Sequence, residues 1–335
     1  MNADSKYALV REMLDTVDVV KKFNPSCTRS VSSIISSVGR LLLTGEGSSR
    51  IFPAKHMIRR AMTWGVDLNL VTDGSRQSAQ YDLSRFSVFC ASNSGRTKEV
   101  VLLAKKLAQE GNPHRFALTA NHDTVLENTC TETIILNCGW EQAVAATKSV
   151  VEQALVYDSI LWNITNKNMS PRLSELAEAI HTVLTLEIDP EIVKTAAQAP
   201  TIYFAGYNDG AAEELTLKTN EITREKSDFL EGTYAVHGIE EVMNSDDIVF
   251  LMDPIDDEIM KFQDVLVDGV GLNVIAVADR DTSFPTIKVP HVDEFMPYIY
   301  LCAGWNLLVD IGLHLNIDLD KPERARKVGN EFTGQ

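Results

Sequence analysis

The stretch that most limits how this chain can fold is Ser92–Asn93–Ser94–Gly95–Arg96–Thr97, set between an apolar run, Phe86–Ala91, and a segment of helical spacing, Lys98–Glu110. A short apolar run that ends in glycine and hydroxyl residues and passes straight into a helix reads as the strand, turn and helix of a parallel β-α-β unit. Such a turn places hydroxyls and backbone N–H groups at a helix N-terminus, where unpaired amides and the helix dipole favour an anion. The same residue types also cap helices. Three hydroxyls exceed what one cap needs.

The motif is not isolated. Arg40–Thr44 is a short apolar strand running into Gly45–Glu46–Gly47–Ser48–Ser49 and then a helix, Phe52–Trp64. Turns of this kind, at the carboxyl ends of parallel strands, are where open α/β sheets bind ligands. Ahead of them, residues 6–40 read as helices with a break at Asn24–Pro25–Ser26. Arg115–Thr119 and Glu132–Asn137 follow as strands, and a long helix is expected over Ala143–Trp162. Residues 163–198, polar, helical and bounded by Pro171 and Pro190, read as a bridge between domains. The pattern then recurs: strand Thr201–Ala205, the turn Gly206–Tyr207–Asn208–Asp209–Gly210, helix Ala211–Glu225, strands Asp247–Met252 and Asn273–Ala278, and an apolar helix Tyr298–Leu313. Two similar α/β halves are expected.

Composition limits the partners. The 335 residues suffice for two α/β domains. With 47 acidic against 31 basic residues, and a formal net charge of -16, no basic tract is available to neutralise nucleic acid. The five cysteines (Cys27, Cys90, Cys130, Cys138 and Cys302) are scattered, form no C-x-x-C pair and read as reduced, buried thiols. No apolar run approaches membrane-spanning length and the first residues lack a signal core. These features predict a cytoplasmic protein that engages neither membrane nor nucleic acid. No His/Cys cluster with metal-ligand spacing is present, and no Walker or Gly-x-Gly-x-x-Gly turn, so neither a metal nor a cofactor is expected.

Further candidates lie in the second half. Lys218 and Glu221, three apart on one helix, form either a surface ion pair or a carboxylate whose pKa its neighbour tunes. His237 precedes Gly238 and is followed by Glu240 and Glu241; a lone histidine reads as a structural residue or as a proton carrier. The basic segment Asp320–Val328 reads as a solvated tail, or as one that folds back over a site and offers a lysine to an open-chain sugar carbonyl.

Five stretches in order, across about residues 35–330, resemble the double sugar-isomerase (SIS) family, in particular the isomerase half of glucosamine-6-phosphate synthase and the stand-alone amino-sugar-phosphate deaminases. They are Gly47–Ser49, Ser92–Thr97, Glu141–Ser149, the Leu217–Lys218–x–x–Glu221 helix with His237–Gly238 beyond it, and Lys327, five residues after Pro322. The resemblance implies two tandem SIS domains, each a mainly parallel sheet flanked by helices in a flavodoxin-like, three-layer α/β arrangement. Residues 1–34 would be a helical segment, 35–165 the first domain, 195–318 the second, and 319–335 a tail closing over the active site. It further implies that Ser48, Ser49, Ser92, Asn93, Ser94, Thr97, Val144 and Ala146 bind the sugar phosphate. Glu221 would move a proton between C1 and C2, with Lys218 stabilising charge on oxygen. His237 would assist ring opening, supplied across the interface of a homodimer, and Lys327 would hold the open-chain carbonyl.

The chain departs from the family pattern in the turn Gly206–Tyr207–Asn208, which is not the common form, and at three further places. Arg96 stands where an acidic residue is usual, the residues before His237 lose a glutamate, and the Pro expected after Gly238 is Ile239. Asn2 stands where the synthases carry a nucleophilic cysteine, so ammonia from glutamine is not expected. The first reading is therefore an isomerase/deaminase converting an aldosamine 6-phosphate to a ketose 6-phosphate and ammonia. A deglycase of fructosamine 6-phosphate, which Glu241 favours, and a non-catalytic sugar-phosphate regulator are the alternatives.

Overall fold

A computed structural model describes residues 6–334; Asn2 lies outside them. The chain divides into two compact units, one built on each of two five-stranded parallel sheets.

The first-sheet unit comprises Asp18–Gln142, Ala146–Ser174 and Ala325–Gln335. Chain order begins with helix α1 (Ala8–Lys22), whose residues up to Val17 belong to the other unit, and α2 (Arg29–Val38). Next come β1 (Arg40–Gly45), α3 (Ile51–Thr63), β2 (Asn69–Gly74), α4 (Ser75–Ser78), β3 (Ser87–Ala91), α5 (Lys98–Gln109), β4 (Arg115–Thr119), α6 (Val125–Thr129), β5 (Glu132–Ile135) and α7 (Lys148–Ile164). The strand order is β2-β1-β3-β4-β5, all parallel. Strands β1, β3 and β4 are buried almost throughout, because helices cover both faces of a parallel sheet and leave no polar alternation. On one face α7 packs against α2 and α3, and 15 of its 17 residues are buried, polar ones such as Glu152 and Asp158 among them. On the other, α5 and α6 cover the cluster of Leu42, Val88, Cys90, Val101, Ala117 and Leu126.

The second-sheet unit comprises Met1–Val17, Ala143–Ala145 and Glu175–Arg324. Its elements are α8 (Leu173–Leu184), α9 (Pro190–Gln198), β6 (Thr201–Gly206), α10 (Ala211–Ile222), β7 (Lys226–Glu231), β8 (Ile248–Met252), α11 (Ile259–Phe262), a π-helical stretch Gln263–Val270, β9 (Asn273–Ala278), β10 (Thr286–Lys288) and α12 (Met296–His314). The order β10-β9-β8-β6-β7 repeats that of the first sheet strand for strand.

Several elements differ from the sequence expectation. Residues 143–147 are not helical, and α7 starts at Lys148. Residues 173–198 bury Leu176, Ile180, Val183 and Leu184, and Asn306 donates to the carbonyls of Val183 (3.0 Å) and Leu186 (2.7 Å), so the stretch packs within the second-sheet unit. Among the described residues one helical segment, Asp293–His314, is long and apolar enough to cross a membrane, contrary to expectation. Within it α12 packs against α9 and α10, with 89% of the apolar window buried, as the core helix of its unit. Of the five free cysteines, Cys90, Cys138 and Cys302 are buried, but Cys27 is exposed.

Candidate functional site

In a sheet of order 2-1-3-4-5 the crossovers leave in opposite directions from the strands corresponding to β1 and β3, opening a crevice at their carboxyl ends. Both hydroxyl-rich turns sit there. Gly45 ends β1 so close to β3 that a Cβ on it would lie 2.9 Å from the Ala91 carbonyl oxygen and 3.1 Å from that of Ser49. Gly47–Ser49 forms a 3-10 turn with Ser48 buried.

Beyond β3, the Ser92 hydroxyl lies 2.8 Å from that of Thr97 and 3.4 Å from that of Ser94. The Arg96 N–H donates to Ser94 Oγ (3.2 Å) and the Thr97 N–H to Ser92 Oγ (3.4 Å). Gly95 turns the chain at φ +65, where a Cβ would meet Thr124 at 2.6 Å. The Asn93 carbonyl accepts from the Asn121 side chain (2.9 Å) and from the Ala120 N–H (3.0 Å), which fixes the loop against β4. Thr97 occupies the N-cap of α5 without a side-chain capping bond. The three hydroxyls are thus gathered on one another at a helix N-terminus, an arrangement suited to donating to phosphate oxygens.

A residue outside the predicted set organises this region. Glu141, with a wholly buried side chain, accepts from the Thr147 N–H (2.8 Å), the Ser149 N–H (3.2 Å) and the Ser149 hydroxyl (2.6 Å), with Asn93 Nδ2 at 3.4 Å and Lys327 Nζ at 3.5 Å. Burial alone would raise its pKa. The Lys327 ammonium and the Ser149 and Thr147 donors outweigh burial and hold it below the ordinary glutamate value. Glu141 therefore ties together Asn93 of the hydroxyl turn, the start of α7 and Lys327. It also explains why Ala143–Thr147, helical by propensity, is a loop: the carboxylate takes the amides that open α7. Its only sequence signal was its place at the head of the Glu141–Ser149 stretch. Ala146 lies in this loop; Val144 falls in the second-sheet unit beside Ala143, whose N–H donates to Glu12 Oε2 at 3.2 Å.

In the second-sheet unit, Lys218 and Glu221 stand on α10. Their pair is not a surface one: Lys218 is fully buried, with Nζ 2.8 Å from Glu221 Oε2 and 3.2 Å from Glu214 Oε1. Glu214 is also fully buried, whereas Glu221 keeps 23% of its side chain exposed and is the carboxylate a ligand can reach. Burial works against the ammonium, but the two carboxylates outweigh it and push the Lys218 pKa up, so it stays charged. Glu214, one turn before Lys218, is a partner that the spacing of four could have revealed. His237 lies apart from this pair on an exposed turn, its Nε2 3.3 Å from Lys261 Nζ. The Glu240 carboxylate folds back onto the Gly238 N–H at 2.6 Å. The switch point of this sheet repeats the close approach of the first, a Cβ on Gly206 falling 3.0 Å from the Met252 carbonyl. Its loops carry no hydroxyl turn. They carry Asp253, Asp256 and Asp279, all engaged by Arg280.

Among the described residues no group of three or more His, Cys, Asp or Glu side chains is placed to hold a metal ion.

Residues 34–162 match the family model of the SIS domain. The matched residues lie mainly in the first-sheet unit, and the second-sheet unit repeats its strand order. Solved structures share the fold along nearly the whole chain. Tagatose-6-phosphate ketose/aldose isomerase from Escherichia coli is 16% identical with a TM-score of 0.78, covering 97% of this chain and 99% of its own. The C-terminal domain of glucosamine-fructose-6-phosphate aminotransferase from Francisella tularensis is 15% identical with a TM-score of 0.78, covering 96% and 100%. Glucosamine-6-phosphate deaminase from Thermotoga maritima is 17% identical with a TM-score of 0.70, covering 96% and 99%. No curated protein sequence matches the chain. The fold, two tandem five-stranded parallel sheets flanked by helices, is the one these structures share and the one the sequence resemblance implied.

Proposed function

We propose that the protein is an isomerase/deaminase of an amino-sugar 6-phosphate. The observation that carries this reading is the cluster of Ser92, Ser94 and Thr97 hydroxyls at the β1/β3 switch point, with Lys327 tied to the same loop through Glu141. The phosphate would accept hydrogen bonds from these hydroxyls and from the Ser48–Ser49 turn. Lys327 Nζ would pair with the open-chain oxygen. Glu221 would take the proton from C2 of the aldosamine and return it to C1. The C2–N bond of the resulting enolamine becomes an imine, and water hydrolyses it to the ketose 6-phosphate and ammonia. Lys218, kept charged by Glu214 and Glu221, would hold the Glu221 carboxylate in place through their 2.8 Å ion pair. His237 would serve ring opening. Its turn is flanked by the exposed apolar residues Tyr234, Val242 and Met260, a surface suited to cover by a second copy of the chain.

The test is ammonia release coupled to ketose 6-phosphate detection, with glucosamine 6-phosphate and then galactosamine 6-phosphate. Turnover should fall at least about a hundredfold in Glu221→Gln. No ammonia from either sugar, with turnover of fructosamine 6-phosphate instead, would replace this reading by the deglycase.

A further inference from the structure

The hydroxyl turn of the first-sheet unit has a neighbour that the proposed chemistry leaves without a role. Residues 330–332 run antiparallel beside it: the Phe332 N–H donates to the Arg96 carbonyl at 2.9 Å, the Lys98 N–H donates to the Asn330 carbonyl at 3.0 Å, and Thr97 and Glu331 form an antiparallel bridge. The side chains agree with this pairing. Arg96 Nη1 lies 3.3 Å from Glu331 Oε1, and Asn330 Nδ2 lies 2.5 Å from Glu99 Oε1. Phe332 is half-buried against the apolar cluster under α5, with Lys105 Nζ 4.0 Å from its ring centroid. Three residues before Asn330 comes Lys327, held at Glu141. Three residues span at most about 10 Å, so where residues 330–332 are docked, Lys327 has little freedom to leave.

Arg96 is one of the positions where the chain departs from the acidic residue of the proteins it resembles, and its charge matches Glu331. A carboxylate at 96 would face Glu331 with like charge. We propose that Arg96 is a positioning residue for Lys327: it recognises Glu331 and, with Phe332 as apolar anchor, docks the tail so that Lys327 stays at the hydroxyl turn. The sugar-phosphate reading enters only in saying what Lys327 is positioned for. On this account Arg96 points its charge at the tail, and the phosphate relies on Ser92, Ser94 and Thr97.

The experiment uses the full-length protein, a lysine-acylating reagent, and mass spectrometry of the Lys327 peptide, alongside amide exchange at Lys98 and Phe332. In Arg96→Glu, labelling of Lys327 should rise about fivefold, the ceiling for loss of one exposed ion pair. Glu331→Arg should do the same, and the double variant Arg96→Glu/Glu331→Arg should return to within about twofold of the parent. Phe332→Ala should raise labelling further and speed exchange at Lys98. A purely structural Arg96 would give no rescue in the charge-swapped pair. Unchanged labelling in Arg96→Glu, or an unrestored double variant, overturns the proposal. Protection of Lys327 by added glucosamine 6-phosphate reads the substrate proposal separately, and its failure would leave the docking result standing.

Discussion

Two buried charges show how single residues hold this molecule. Glu141 is ionised inside the first-sheet unit because Lys327 and the donors of Thr147 and Ser149 surround it. A carboxyl whose pKa is depressed on folding stabilises the native state fully above its unfolded value and loses that contribution as pH falls through the folded value. Glu141 should therefore hold its loop down to about pH 4 and release it in more acid solution. Amide exchange across residues 141–149 as a function of pH should show this, and Glu141→Gln should flatten the dependence. Lys218 carries the opposite sign. Its pKa is raised, so its contribution is full at neutral pH and is lost only above the ordinary lysine value. Lys218→Met leaves Glu214 buried beside an apolar chain and should cost about 3–5 kcal/mol in urea unfolding, with part recovered in Lys218→Met/Glu214→Gln.

At the scale of elements, the strand–turn–helix joints carry the architecture. Gly45 is the joint of the first switch point, and Gly45→Ala should cost about 1–3 kcal/mol by forcing β1 off the Ala91 carbonyl, seen as a lower midpoint in thermal unfolding. What could be read from the chain follows from burial. The central strands β1, β3, β4, β6, β8 and β9 are apolar runs because both faces are covered, and each was identifiable to within a residue or so. Of the edge strands β5, with its apolar Ile134 and Ile135, was also identifiable, but the other three were not. β2 (NLVTDG) and β7 (KSDFLE) bury little and interleave polar residues, and β10 is three residues long, so their composition is that of loops. The false start of α7 at Ala143 has its own cause, since Ala-rich propensity lost to the Glu141 carboxylate, a tertiary contact that no local pattern encodes. The hydroxyl turn was legible because three hydroxyls and a glycine fall in six residues. Glu141 was not, since a buried glutamate and a surface one have the same letter.

For the molecule as a whole, the two sheets repeat one topology but not one chemistry. The first switch point offers hydroxyls. The second is occupied by Arg280 and three aspartates, so a sugar phosphate is expected to bind through the first alone. The apolar surface of Tyr234, Val242 and Met260 around His237 should be covered by a second copy. Light scattering should then give a dimer, and Val242→Glu/Met260→Glu should give a monomer.

The central claim is that the Ser92–Thr97 turn binds the phosphate of a sugar, and calorimetric titration tests it most directly. Glucosamine 6-phosphate should bind where glucosamine does not, and Ser92→Ala should weaken binding by about tenfold, as expected for one hydrogen bond to a charged group. Equal binding of both sugars, or an unchanged affinity in Ser92→Ala, would contradict the account.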